Sequence, residues 1–372
     1  MKNLISFHYS NYFIYIILYS LSTLLKDYLE KECKIIGNNP FLIVILMYFG
    51  ESWAFFFYLY EKYQFKKKKK NIKVFQQFIP KKNKTNLIIF ILFWCTIIDL
   101  FSSTPLIFFY NHSMKKIEYD NYFTTALIYF FLYLNESFYL KIESYFHQQL
   151  GIGINFVSLL ITFIFLIIDQ INYTSIKSFI CLMILLVGKN YLHSFLFIFE
   201  KKINYEYYVN MNYICCVEGI MGIILVLIIN VGVFFFYTAK RIFIIDLNTK
   251  FENIPCLIIM IFFYVFFHFM LNFSRLKIAE IKKPSYVIIG KSLSFLYLSI
   301  INFIFDKNRN LSQNMFIIIC MINSVFGTLI FSEILILHFC DLDKNTLKVV
   351  VNRAERETQY DILEIDNIKD DN

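Results

Sequence analysis

Four ionisable residues, Asp99, Lys189, Glu218 and Lys291, fall inside long apolar stretches. An ionised side chain at the centre of a bilayer costs about 2.5 to 3.5 kcal/mol on insertion scales, so each implies an inward-facing position with a partner, a water or a ligand. Asp99 and Lys189 lie near the middles of their stretches and match in depth. At 1.5 Å per residue, Glu218 and Lys291 lie about 10 to 15 Å from one common end of theirs. The charges therefore balance as two pairs, Asp99 with Lys189 and Glu218 with Lys291, which either brace helices or contact a solute or a proton. His193, one turn beyond Lys189, and His268 read as bundle histidines that can also titrate near neutral pH. Asn190 and Asn272 add neutral donors and acceptors, and Asn111 ends another apolar stretch within a glycosylation sequon. Glu51, Glu136 and Glu333 fall nearer the ends of their stretches and are expected to reach the membrane interface.

Enzymatic readings find no support. The chain holds no His-Glu-x-x-His, no Gly-x-Ser-x-Gly and no phosphate-binding glycine loop, so no catalytic residue, cofactor or metal is assigned. The eight cysteines, at 33, 95, 181, 215, 216, 256, 320 and 340, show neither metal-ligand spacing nor a paired framework.

The elements that must position these residues are membrane helices. Only 17% of the 372 residues are charged and 58% are hydrophobic, against about 25% charged in an average soluble domain, which excludes a water-soluble enzyme. A bilayer core about 30 Å thick needs roughly 20 apolar residues per helix. Ten such stretches emerge: 11–29, 40–60, 86–110, 119–139, 146–168, 176–199, 210–237, 254–272, 284–305 and 314–338. The first lacks a small-residue cleavage pattern and reads as a retained helix rather than a signal peptide. A turn around Lys141 to Glu143 joins the fourth and fifth. The expected organisation is a ten-span domain over 1–340, with one half at about 11–168 and the other at about 176–338.

Loop charge sets the orientation. The segment 61–85 carries ten lysines, including the unbroken Lys66 to Lys70, and reads as a cytosolic loop under the positive-inside rule rather than as a nucleic-acid site. An even number of spans then leaves both termini cytosolic. The tail, 341–372, holds nine acidic and five basic residues and reads as a disordered cytosolic segment. An internal membrane, of endomembrane, vacuolar, lysosomal or plastid type, is the expected residence.

The third stretch ends in Asn111-His-Ser113-Met-Lys-Lys116-Ile117, and the eighth in Asn272-Phe-Ser274-Arg-Leu-Lys277-Ile278. These ends echo one another five spans apart, so the two copies leave the membrane on opposite faces, as an inverted duplication of five plus five helices requires. Such repeats point to alternating access around a central site.

Short motifs spread from about Leu18 to His338 resemble the drug/metabolite transporter superfamily, in particular the nucleotide-sugar-transporter-like F subgroup of solute carrier family 35. They are Asn39-Pro40-Phe41-Leu42 with Met47-Tyr-Phe-Gly50-Glu51, then Phe199-Glu200-Lys201-Lys202 with Tyr205. Glu218-Gly219 with Gly222, Asn272-Phe273 and Lys291-Ser292-Leu293 complete the set. The chain has Phe123-Thr124-Thr125-Ala126 where the subgroup has Met-Leu-Arg-Gly, and Lys291 and Ser294 where it has an acid and an arginine. The resemblance implies an all-α membrane protein of ten transmembrane helices in two inverted five-helix repeats, working as a secondary carrier of a small organic solute. It does not carry over the substrate. The polar residues within the spans give the expected substrate-contacting set, Asp99, Asn111, Lys189, Asn190, Glu218, Asn272 and Lys291, with no cofactor. The expected partners are the lipid bilayer and a solute, with proton coupling, counter-exchange and a homodimer all open. The other reading is a non-transporting scaffold or receptor built on the same fold.

Overall fold

The computed structural model describes residues 2–32, 40–68, 85–113, 120–141, 145–171, 176–207, 209–236, 254–305 and 311–338, together with Thr346 and Val349. Most of the lysine-rich loop and nearly all of the acidic tail lie outside the described residues. Every long apolar stretch is helical, because inside hydrocarbon the backbone N–H and C=O groups have only each other as partners. The elements are α1 (Lys2–Glu32), α2 (Pro40–Ser52), α3 (Ala54–Lys68), α4 (Thr85–Ser113), α5 (Asp120–Tyr139) and α6 (Phe146–Ile171). They continue as α7 (Ile176–Tyr207), α8 (Met211–Phe236), α9 (Ile254–Ile281), a 3-10 turn (Pro284–Tyr286), α10 (Val287–Phe305) and α11 (Leu311–Phe331). Since α2 and α3 are halves of one interrupted helix, ten helices cover the ten apolar stretches among the described residues.

Five stretches among the described residues are long and apolar enough to cross a membrane: Leu42–Gln64, Thr85–Ser102, Met183–Tyr207, Met211–Val231 and Pro255–Ile281. Much of their surface is apolar and outward-facing, as with Ile224, Leu227, Ile228 and Val231 along α8. That much exposed aliphatic surface is stable only against lipid. The chain is an integral, multi-pass membrane protein.

Several boundaries depart from the sequence expectation, each for a local reason. α7 and α9 run on past Phe199 and Asn272 because their added turns meet partners, Glu200 finding Arg275 and Lys277 finding Glu61. α11 stops at Phe331, short of His338. There Glu333 takes a left-handed backbone (φ 57°), and the Ile334 and Leu335 N–H groups both return to the Leu329 carbonyl at 3.1 Å. The chain then folds back on α6, where the Leu337 N–H donates to His147 Nε2 at 3.2 Å. The α2–α3 helix is interrupted at Trp53, whose N–H bonds the Gly50 carbonyl three residues back at 3.1 Å. This tightened turn lies beside Glu51.

α1 packs along α9 and α10, α2 along α8 and α9, and α4 along α7 and α8. α5 packs along α6 and α7, α6 along α11, and α10 along α11. Glycines set the closest approaches, because membrane helices gain little hydrophobic energy from each other and rely on close backbone contact and interhelical hydrogen bonds. A Cβ on Gly219 would stand 2.5 Å from the Ser52 nitrogen and 2.7 Å from the Tyr48 oxygen, so α8 lies directly on the α2 backbone. Between α6 and α11, a Cβ on Gly151 would meet the Phe331 nitrogen at 2.6 Å. The same interface is tied by Ser324 Oγ donating to Asn155 Oδ1 (3.0 Å) and by Asn323 Nδ2 donating to Ser158 Oγ (2.6 Å).

Replacing Gly219 or Gly151 with alanine therefore forces the backbones apart, and overpacking of this kind costs about 1–3 kcal/mol. Gly153 has open space around it. Thermal unfolding of the purified protein in detergent is expected to show a lower midpoint for Gly219→Ala and Gly151→Ala, and no loss for Gly153→Ala.

Candidate functional site

Two helices carry polar stripes with the same spacing. On α7 the stripe is Lys189, His193, Phe197 and Glu200, and on α9 it is Tyr264, His268, Asn272 and Arg275. Steps of four, four and three keep each set on one helix face. The two stripes meet at Glu200 and Arg275, which form a bidentate ion pair: Nη1 donates to Oε2, and Nη2 to Oε1 at 2.8 Å. Both side chains are buried. The guanidinium also lies over the Phe197 ring, 4.5 Å from its centre, and the His193 imidazole meets that ring edge-on at 4.6 Å between centres.

Around this pair the bundle gathers more carboxylates. Glu51 is 7% exposed and Glu218 is 6% exposed, whereas the sequence placed Glu51 at the membrane interface. The correction follows from the interruption at Trp53 and the close α2–α8 and α2–α9 contacts, which hold Glu51 inside the bundle. Asn272 Nδ2 donates to Glu51 Oε1 at 2.8 Å and contacts His268 Nε2 at 2.9 Å. As the amide nitrogen is a donor, that contact makes His268 Nε2 the acceptor and places its proton on Nδ1. His268 is then neutral and does not offset Glu51, although its Nε2 lies 3.9 Å from Glu51 Oε1. Asp99, partly buried on α4, faces the Tyr48 hydroxyl. Glu51, Asp99, Glu200 and Glu218 all lie in one another's electrostatic field, and Arg275 acts on Glu51, Asp99 and Glu218 as well as on Glu200. Glu218 Oε1 is fully enclosed and accepts no hydrogen bond among the described residues.

Of the residues singled out from sequence, Asp99, Glu218 and Asn272 come together in this cluster. Lys189 acts on Asp99 and also on His193, where Lys291 and Arg275 act too. Charges acting on Glu218 include Glu200, Glu51, Arg275 and Asp99, and Lys291 acts on His193. Asn190 is fully buried on α7, with Nδ2 donating to the Leu186 carbonyl at 2.8 Å. The Asn111 side chain lies outside the described residues. Sequence reasoning missed Glu200 and Arg275, which stand at predicted helix ends and read as loop charges. The repeated four-four-three spacing was the signal that could have found them.

A second set of contacts fastens one end of the bundle. Glu136, also expected at the interface, is 3% exposed and accepts from the Ser285 N–H (2.7 Å) and Oγ (2.9 Å). It thereby satisfies donors at the start of the α10 segment, where a carboxylate is favoured. Lys201 Nζ caps the end of α9, donating to the carbonyls of Ala279 (2.6 Å), Glu280 (3.2 Å) and Lys282 (3.2 Å). Glu61 of α3 takes Lys277 Nζ at 3.2 Å and Asn210 Nδ2 at 2.8 Å. In the connection between α9 and α10, burial lowers the proton affinity of the Lys283 ammonium, and the Glu136 and Glu333 carboxylates oppose that effect.

Arg275→Ala would strand Glu200 in the interior, and breaking a buried pair from one side costs about 3–5 kcal/mol. Unfolding in detergent is expected to show a large loss for Arg275→Ala and recovery of most of it in the double variant Arg275→Met/Glu200→Leu. No protein-family model matches the chain, and no curated protein matches it.

Proposed function

We propose that this protein is a secondary carrier of a small organic solute, of the drug/metabolite transporter type, working by alternating access between two inverted halves. The observation that supports it most is that buried charges from both halves meet at one place. Glu51 and Asp99 come from the first half, and Glu200, Glu218 and Arg275 from the second, with the neutral Asn272 amide donating to Glu51. A membrane protein that needed only packing would gain nothing from burying four carboxylates together, since each costs several kcal/mol of desolvation. Intramembrane charges of this kind mark solute and ion pathways.

The pattern of helix packing supports the repeat. Exchange α1 with α7, the α2–α3 helix with α8, α4 with α9, α5 with α10, and α6 with α11. The pairing of α1 with α9 becomes that of α7 with α4, and α1 with α10 becomes α7 with α5. Likewise α2 with α9 becomes α8 with α4, and α5 with α6 becomes α10 with α11, while α2–α8 and α6–α11 map onto themselves. The major packing pairs thus survive the exchange. The same exchange couples α4 to α9, whose ends carry the Asn111 and Asn272 echo. Helices five apart in an up-and-down chain run in opposite directions, so a repeat of this kind is inverted. The interrupted helix beside Glu51 fits the discontinuous helices that form carrier sites. Both termini and the lysine-rich loop are assigned to the cytosol, and the membrane to an internal one.

Counterflow into liposomes holding the purified protein, against nucleotide sugars, amino acids, small peptides and cationic drugs, tests the reading. The wild type is expected to exchange at least one member of the panel, and Lys189→Ala or Lys291→Ala to abolish that exchange in folded protein. Normal exchange in both variants would remove the two lysines from the site. Silence across the panel from folded wild type would favour a non-transporting scaffold.

A further inference from the structure

Beyond Phe331 the chain folds back on the start of α6, and a buried histidine holds it there. Glu333 turns the backbone (φ 57°), the Ile334 and Leu335 N–H groups close on the Leu329 carbonyl, and the Leu337 N–H donates to His147 Nε2 at 3.2 Å. Beside His147, Gln148 Nε2 donates to Glu333 Oε1 at 3.2 Å. His147 and Gln148 are fully buried beneath this segment, whose Ile334 and Ile336 side chains are exposed. A ring nitrogen that accepts an N–H carries no proton, so His147 is the neutral imidazole with its proton on Nδ1. That Nδ1 is enclosed without a hydrogen bond of normal geometry among the described residues, beside the Ile330 carbonyl. The Glu333 carboxylate faces the ring from the end of α11, and Lys283, between α9 and α10, acts on that carboxylate in turn. α5, the other helix packed on α6, brings Glu136, which is committed to Ser285, and is followed by the exposed Lys141. His338, next to Leu337, is exposed.

We propose that His147 and the segment 332–338 form a proton-operated latch, in which neutral His147 holds the segment on α6 and protonated His147 releases it. Uptake of one proton from water at Nε2 makes the imidazolium, and release returns it, with no other covalent bond made or broken. Nε2 then presents an N–H to the Leu337 N–H, donor against donor, and their hydrogen bond is lost. The Glu333 carboxylate favours the cation, so acid exchanges a backbone partner of His147 for a carboxylate. The docked form is complete above the ordinary imidazole range, about pH 6.5, and is lost as the pH falls through and below it. Lys283 draws on the same carboxylate and opposes the exchange. Because the segment leads directly into the acidic stretch 341–372, the latch sets whether that stretch starts from α6 or free of it. The latch needs no solute and is independent of the carrier reading.

Hydrogen exchange at the Leu337 amide tests the latch, measured on the purified full-length protein in lipid nanodiscs between about pH 8 and about pH 5. Fragment mass spectrometry reads the amide, after correction for the intrinsic effect of pH on exchange. The wild type is expected to lose protection on acidification by roughly 2- to 10-fold, the worth of one net hydrogen bond. His147→Gln, whose amide oxygen accepts at either pH, is expected to stay protected throughout, and His147→Ala to be unprotected throughout. Glu333→Gln is expected to move the loss to lower pH, because it removes the carboxylate that favours the imidazolium. Unchanged exchange where α6 and α11 touch at Gly151 and Gly327 reports that each variant folds. Equal wild-type protection at both pH values, or a His147→Gln response as large as that of the wild type, would overturn the proposal.

Discussion

The bundle is organised around the cost of placing charge in hydrocarbon, and the Glu200–Arg275 pair is where that cost is met most completely. Both carboxylate oxygens take a guanidinium nitrogen, and the cation also covers the Phe197 ring. Bidentate geometry of this kind fixes the relative height and rotation of the two helices that bear it. α7 and α9 are thereby registered against each other. The polar stripes above the pair then face the acids of α2, α4 and α8 rather than lipid.

Two other constraints act on the same helices. Glycines bring α8 onto the backbone of α2 at Gly219, and α2 onto α9 at Gly50, where a Cβ would stand 2.9 Å from the Val265 oxygen. These contacts carry Glu51 and Glu218 inward with their helices. At one end of the bundle, Lys201 on the last carbonyls of α9 and Glu136 on the first donors of the α10 segment hold the connection between those helices from two sides. Glu61 joins α3 to the same end through Lys277 and Asn210. The centre is rich in acids with few committed cations, while this end is densely paired.

The ten helices among the described residues and the membrane setting were legible from apolar run length. So was the burial of Glu218, because an ionisable residue well inside an apolar helix has few other places to go. Residues near helix ends were not legible in this way. Glu136, Glu200 and Arg275 each lie close enough to a predicted end to snorkel to water, and linear sequence holds no information about which helix covers that end. Glu51 is different: it stands midway along its own stretch, 40–60, so its burial was there to be read. Depth fixes one coordinate, while the side of the helix and the identity of its neighbour fix the contact.

What the sequence by itself determined is the solvent and the secondary structure: long apolar runs must lie in lipid, and in lipid they must be helices, because hydrocarbon offers backbone groups no other partner. What only the tertiary structure decided is which charges meet. That depends on helix neighbours chosen by glycine contacts tens or hundreds of residues apart in the chain, such as Gly219 on Ser52 and Gly151 on Phe331. Those contacts turn four scattered acids into one cluster. Short-range sterics between backbones, invisible in composition and periodicity, set the electrostatics of the site.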